Sequence, residues 1–205
     1  MDHEVTPSWL VEAAQQVIEV CHQAATEQLE LLLPAIQLQV SMVLVGQEIL
    51  RTDYQRTIML AISDIEQALP PPVGMNLIYG LAHEVGHLVI VRSIPEGASL
   101  AVVWDEAFAH HLALNTFFPA LSAHFGNTPW PGETAGWQER QVSMSNQLHF
   151  ANQNQQLQKM AAQVSAASSR LGSDRALLNA LGVQSPSSLG LLSMERTLRR
   201  LKHSH

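Results

Sequence analysis

The stretch NLIYGLAHEVGHLVIV, residues 76–91, decides the fold of this chain. It is apolar almost all round a helical projection, which predicts a helix buried inside the domain. His83 and His87 are four residues apart and share one face of that helix, so both imidazoles can reach one zinc ion. Glu84 is turned about 100° from His83, where its carboxylate can hold a zinc-bound water. This spacing favours a hydrolytic zinc site.

Upstream of this helix, the pattern predicts one long helix and two strands. Apolar residues recur with helical spacing from Trp9 to about Leu33, and the helix is expected to end before Pro34. Residues 36–42 alternate between apolar and polar, which is typical of a half-buried strand, and residues 57–62 form a second β-rich run. Together they predict a small antiparallel sheet.

Downstream, the pattern is helical again. Residues 100–117 resume helical spacing, whereas residues 118–136 are rich in proline and glycine and are expected to be irregular. Three further helices are predicted, over residues 137–171, from Gly172 onward, and over residues 189–202. The chain is therefore expected to be mainly α with a small sheet, an α+β fold. We expect a core of residues 1–130 and a helical C-terminal subdomain of residues 131–205 packed on it.

Composition limits the function classes. The chain has 205 residues, 46% of them apolar, and a net charge of −7, which disfavours nucleic acid as the main partner. Its apolar runs are far shorter than the roughly 20 residues that cross a bilayer. The N-terminus carries acidic residues where a signal peptide has basic ones, and the one cysteine, Cys21, cannot form an internal disulfide. We therefore expect a cytoplasmic protein without an integral membrane segment.

Charge is distributed unevenly along the chain. Residues 1–150 hold 16 acidic and 4 basic side chains, whereas residues 151–205 hold 2 acidic and 7 basic ones. The basic C-terminal helix either docks on the acidic body or binds an anionic partner or membrane surface.

The residues around the histidines resemble a known protease superfamily. Eighteen residues separate His87 from Glu106, which lies in the string DEAFA, residues 105–109. HExxH followed by 18 residues and a glutamate is the pattern of the gluzincin metallopeptidases, and DEAFA is similar to the segment that presents their third ligand. The resemblance covers roughly residues 75–117. It implies a zincin-like core, a Zn²⁺ cofactor held by His83, His87 and Glu106, Glu84 as general base and acid, and a peptide or protein substrate.

Two subfamily comparisons narrow this resemblance. The chain lacks the Gly-Ala-Met-Glu-Asn motif with which aminopeptidases hold a free amino terminus, so it does not resemble an aminopeptidase. LAHEVGH, residues 81–87, followed by a Glu-Ala helix and Pro119, resembles the ImmA/IrrE-type proteases instead.

Other histidines are candidates for supporting roles. Gluzincins commonly stabilise the developing oxyanion with a tyrosine or histidine downstream of the third ligand, and His149 is the residue predicted for that role. His110 lies four residues after Glu106, at the offset where thermolysin-like members place an aspartate that bonds a zinc-bound histidine. We expect His110 to support a ligand or to line the cleft. His111 points elsewhere and is expected to face solvent.

Two other interpretations stay open. In one, zinc only fastens two helices of a catalytically degenerate regulatory or scaffolding protein. In the other, the histidines are ordinary polar residues of the core and no metal binds. Glu84 argues against the first, because a structural site needs no free carboxylate beside its first ligand and usually takes four protein ligands.

Overall fold

Helices predominate in the part of the chain that the computed structural model describes, residues 8–44, 49–62, 73–125, 155–184 and 189–203. This confirms the predicted α+β class. The helices are α1 (Ser8–Gln28), α2 (Val73–Ser93), α3 (Val102–Leu112), α4 (Phe118–Phe125), α5 (Gln155–Leu171), α6 (Asp174–Gly182) and α7 (Leu191–His203), and the strands are β1 (Gln37–Met42), β2 (Ile49–Thr52) and β3 (Thr57–Ile62).

The sheet is mixed, so the prediction of an antiparallel sheet was wrong. The two predicted strands, β1 and β3, pair in parallel, and β2 pairs antiparallel with the other side of β3. Alternation along residues 36–42 predicted a half-buried strand, but it carries no information about which strands are neighbours. Strand β2 lies between the two predicted strands, where no strand was predicted. It is an edge strand, and it packs against α2.

Helix α1 ends earlier than predicted. Its last residue is Gln28, and Glu30 adopts a left-handed backbone with φ of 52°. The N–H groups of Leu29 and Leu31 both donate to the carbonyl of Ala25 at 3.2 Å, which closes the last turn. Because the chain changes direction there, Leu32 is 83% exposed instead of lying on the buried face. The end of α1 is set by this turn and not by Pro34.

Helix α2 confirms the predicted buried helix, and it packs very closely on α3. A Cβ atom built at Gly86 would lie 2.9 Å from both the Cα and the carbonyl oxygen of Ala109 in α3. Glycine is therefore required at this crossing, because any side chain would push the two backbones apart. The close approach brings the N-terminal half of α3, which carries Glu106, next to the histidine face of α2.

The helical path continues beyond α3, contrary to the prediction of an irregular segment from residue 118. A π-helical turn, Ala113–Phe117, joins α3 to α4. Pro119 has no N–H and its ring would clash with the carbonyl four residues earlier in a regular helix. The wider π turn relieves that clash, so the chain can remain helical through a proline. Residues 126–136, also predicted to be irregular, and the first part of the predicted helix over 137–171 lie outside the described residues.

Helix α5 packs on α3, α6 and α7, while α6 also packs on α2 and α7 also packs on α3. The buried apolar side chains form one continuous cluster that extends from Leu10 in α1 to Leu198 in α7. Cys21 is fully buried in this cluster, and burial raises the pKa of its thiol. Within the described residues, no helix is both long and apolar enough to cross a membrane.

His111 is buried, so the expectation that it faces solvent was wrong. Its Nε2 lies 2.6 Å from a carboxylate oxygen of Asp174, at the start of α6, and its Nδ1 lies 2.8 Å from the hydroxyl of Ser165 in α5. Thr116 and Ser168 donate to the same carboxylate. This polar network ties α3 and the π turn to the C-terminal helices. His111 and Thr116 find their partners in this network 54 to 63 positions further along the chain. A local sequence pattern does not show which residues so far apart lie in contact.

Asp174→Asn should lower the free energy of unfolding by about 2 kcal/mol at pH 7, because it removes the charge at the centre of this network. Burial alone would raise the pKa of Asp174, but hydrogen bonds from His111, Ser168 and Thr116 lower it to about 2. A depressed pKa stabilises the folded state above the unfolded pKa of about 3.9. The difference between the two proteins should therefore shrink as the pH falls from about 4 to about 2.

Urea denaturation at several pH values measures this effect. Glu195→Gln is the control, since Glu195 pairs with Arg199 at the surface and should contribute under 0.5 kcal/mol, as exposed pairs roughly do. Equal losses in the two variants would contradict the role assigned to Asp174.

Candidate metal centre

The candidate site is formed where α2 crosses α3. Helix α2 supplies His83, Glu84 and His87, and each offers one potential ligand atom within 4.8 Å of the others. The helical repeat explains the two histidines, because residues four apart lie one above the other. His87 and Glu84 are buried, with 3% and 8% of their surface exposed, and His83 is partly buried. These three residues could hold a metal ion.

Glu106 reaches the same two imidazoles from α3. One of its carboxylate oxygens lies 3.0 Å from Nε2 of His83 and the other lies 3.7 Å from Nε2 of His87. Both histidines therefore direct the same ring nitrogen toward one carboxylate. The Glu106 side chain is 41% exposed, so the open side of the site is at this residue.

Asp105 lies beside Nδ1 of His87, on the side of the ring that faces away from Glu106. Its Oδ2 lies 2.9 Å from Nδ1 of His87, although the angle at the nitrogen is poor for a hydrogen bond. A carboxylate beside Nδ1 favours the tautomer that carries its proton there, which leaves Nε2 free to bind a cation. Asp105 was not among the predicted site residues. Its only signal was an acidic residue directly before Glu106.

Tyr79 and His110 lie behind the His83 ring. The Tyr79 hydroxyl is 3.5 Å from Nδ1 of His83 and 2.5 Å from Nδ1 of His110. Burial, together with the charges of His83 and His111, lowers the pKa of His110 to about 4, so this ring is neutral at pH 7 and Nδ1 can accept a hydrogen bond from the Tyr79 hydroxyl. His110, predicted to support a ligand or line the cleft, thus contacts Tyr79 and reaches His83 only through it.

Glu84 has the environment of a carboxyl group that can gain and lose a proton. Burial raises its pKa, while the charges of His87 and His83 and a hydrogen bond from the backbone N–H of Thr52 lower it in part. Thr52 is the last residue of β2, so the edge strand is bonded to the site directly. The net effect is a raised pKa, which brings the group closer to neutral pH.

The pKa values of Glu106 and His87 are shifted in the directions expected for a carboxylate that lies among imidazoles. The hydrogen bond from His83 lowers the pKa of Glu106 more than burial raises it. Burial alone would lower the pKa of His87, but Asp105 and the charges of Glu106 and Glu84 raise it. The Glu106 carboxylate therefore stays ionised at neutral pH beside the two imidazoles, which favours a cation between the two helices.

Tyr54 is a further residue of the site that the sequence analysis missed. It lies in the hairpin between β2 and β3, and its ring packs edge-on against the imidazole of His87 with 5.4 Å between centroids. Its hydroxyl donates to Asp105, and burial raises the pKa of its phenol to about 12. Tyr54 has a left-handed backbone with φ of 60°. Asp53 supports this turn by accepting hydrogen bonds from the N–H groups of Gln55, Arg56 and Thr57 at 2.8 Å each.

No sequence pattern upstream of His83 indicated that Tyr54 belongs to the site. Only the folded hairpin brings the Tyr54 ring into contact with the His87 ring. His149, predicted as an oxyanion donor, lies outside the described residues.

Comparisons with family models, with curated proteins and with solved structures give no significant match to this chain. The function must therefore be inferred from the geometry and chemistry of the site.

Proposed function

We propose that this protein is a zinc-dependent metallopeptidase. The observation that carries the proposal is the convergence of Nε2 of His83 and Nε2 of His87 on the two oxygens of Glu106, with the buried carboxyl of Glu84 beside them. The resemblance of residues 75–117 to the gluzincins supports the same function. The cytoplasmic location and an anionic partner for the basic helix stay predictions.

The donor set suits zinc. Two imidazole nitrogens and one carboxylate are ligands that catalytic zinc takes, and three protein ligands leave a position for water or substrate. Two atoms bound to one zinc ion in a tetrahedral arrangement are roughly 3.4 Å apart, and the two distances from Glu106, 3.0 and 3.7 Å, lie on either side of that value. Asp105 and Tyr79 would hold the two rings from behind.

Zinc, when bound, makes water a stronger acid and polarises the substrate carbonyl. The chain's own contribution is made by Glu84, which accepts the proton of the attacking water and then delivers it to the leaving amine. A carboxyl whose pKa is raised by burial suits both steps, because it holds the proton more readily than an exposed one. The Asp105 carboxylate beside Nδ1 of His87 favours the tautomer that carries its proton on Nδ1. His149 stays the predicted donor to the oxyanion.

Metal analysis with a peptide library tests this proposal. The purified protein should contain about one zinc per chain and cleave peptides, a chelator should stop the cleavage, and added zinc should restore it. His87→Ala should lose both zinc and cleavage. His124→Ala is the matched control, because His124 lies in α4, is exposed and takes no part in the site.

The possible outcomes separate the three interpretations. Zinc bound at His87 without cleavage by the wild-type protein would favour the scaffolding role. Zinc content that does not depend on His87, or no zinc at all, would contradict the metal site itself.

A further inference from the structure

The two nitrogens of the His83 ring face different partners. Nε2 lies 3.0 Å from the Glu106 carboxylate, on the side where a cation would bind. Nδ1 faces Tyr79, one turn earlier in α2, whose hydroxyl oxygen lies 3.5 Å away. A neutral imidazole that binds a cation through Nε2 carries its proton on Nδ1. Because the His83 side chain is only 14% exposed, that N–H needs an acceptor from the protein.

Tyr79 can be that acceptor only if its own proton is directed elsewhere. Burial and the charge of Glu106 raise the pKa of this phenol above its usual range, so the hydroxyl keeps its proton at neutral pH. If that proton were donated to Nδ1 of His83, the proton of the ring would stay on Nε2 and the ring could not bind a metal. The direction of one hydroxyl proton therefore matters for the metal site.

His110 lies where it can take the Tyr79 proton. Its Nδ1 is 2.5 Å from the same hydroxyl, which is closer than Nδ1 of His83, and its neutral ring can accept there. The Tyr79 ring lies between the two imidazoles, with 5.8 Å between centroids on the His83 side and 5.7 Å on the His110 side.

The helix crossing that forms the metal site also forms this second contact. Tyr79 lies one turn before His83 on α2, and His110 lies one turn after Glu106 on α3, so each shares the face of its neighbour. The packing that brings Glu106 to His83 therefore brings His110 to Tyr79 as well.

We propose that Tyr79 and His110 form a hydrogen-bond relay that positions His83 for the metal ion. In this relay, Nδ1–H of His83 donates to the Tyr79 oxygen, and the Tyr79 hydroxyl donates to Nδ1 of His110. Both are positioning residues, because each acts on the metal only through His83. The inference rests on the metal site of the proposed function, but it does not depend on peptide cleavage.

Competition titration of the full-length protein with a zinc chelator tests the relay without a substrate. Tyr79→Phe removes the hydroxyl and keeps the ring, and it should weaken zinc binding about 10- to 100-fold. His110→Leu should weaken zinc binding by a similar factor, because the Tyr79 proton then turns toward Nδ1 of His83. Urea denaturation of the zinc-free variants checks that each one is folded.

Two further variants separate the relay from simple packing. His110→Asn places an amide oxygen near the position of Nδ1, so zinc affinity should stay within about 3-fold of wild type. Tyr79→Phe combined with His110→Leu should bind zinc no more weakly than Tyr79→Phe alone, because no hydroxyl proton is left to direct. His124→Leu, at an exposed position in α4, is the control and should leave zinc affinity unchanged.

The outcomes distinguish the relay from the peptidase function. Unchanged zinc affinity in Tyr79→Phe, equal losses in His110→Leu and His110→Asn, or additive losses in the double variant would overturn the relay and leave the peptidase function standing. The expected pattern of zinc affinities in a protein that cleaves no peptide would support the relay and overturn the peptidase function. A wild-type protein that binds no zinc would overturn both.

Discussion

Glu84→Gln should lower the rate of peptide cleavage by about 10³-fold while zinc stays bound. Glutamine has nearly the same shape as glutamate, but its amide cannot accept the proton of the attacking water. The atoms that converge from His83, His87 and Glu106 are unchanged in this variant. Steady-state kinetics measure the loss of cleavage, and the zinc content of the same preparation shows whether the metal stays bound.

Stability separates a catalytic Glu84 from a structural one. Burial raises the pKa of Glu84, so the folded zinc-free protein binds this proton more tightly than the unfolded chain does. The ionised carboxylate therefore costs stability as the pH rises above the unfolded pKa, and glutamine removes that cost. Zinc-free Glu84→Gln should be at least as stable as wild type at pH 7 in urea denaturation.

Glu12→Gln, on the exposed face of α1, is the control and should leave both cleavage and stability unchanged. Glu84→Gln protein that is both inactive and less stable would indicate a structural role for Glu84.

Gly86→Ala should lower the free energy of unfolding by about 3 kcal/mol, because the new methyl group has no space to occupy. The atoms it would meet at 2.9 Å belong to the backbone of Ala109, which cannot rotate away. Helix α3 must therefore shift, and Glu106 would shift with it, away from the two imidazoles. We expect weaker zinc binding as well as lower stability. Urea denaturation and a competition titration with a zinc chelator measure the two effects.

Gly80→Ala, two turns earlier in α2, is the matched control. Its Cβ would lie 2.3 Å from Cδ2 of Leu50, the end of a flexible side chain that can adopt another rotamer. Alanine also stabilises a helix by about 1 kcal/mol relative to glycine, which offsets the cost of moving Leu50. The expected change in stability is therefore under about 1 kcal/mol, with zinc affinity unchanged. Equal effects of the two substitutions would show that the backbone contact at Gly86 does not hold Glu106 in position.

The sequence predicted those elements in which apolar residues follow a clear local pattern. Helix α2 is apolar all round and was predicted within a few residues of its ends, and the restart at Gly172 is explained by its left-handed φ of 88° and by Ser173, whose hydroxyl caps α6. The end of α1 and the path through Pro119 were predicted wrongly. In both places a local backbone geometry, the left-handed Glu30 and the π turn, decided the outcome.

By itself, the sequence determined that His83, Glu84 and His87 share one region of a buried helix, because helical geometry depends only on spacing along the chain. It also indicated, through the resemblance, that Glu106 belongs with them. Only the tertiary structure decided how the sheet pairs, that His111 is buried against Asp174, and that Tyr54 and Asp105 contact His87. These contacts join residues far apart in the chain, and the packing that brings them together is set by the whole core.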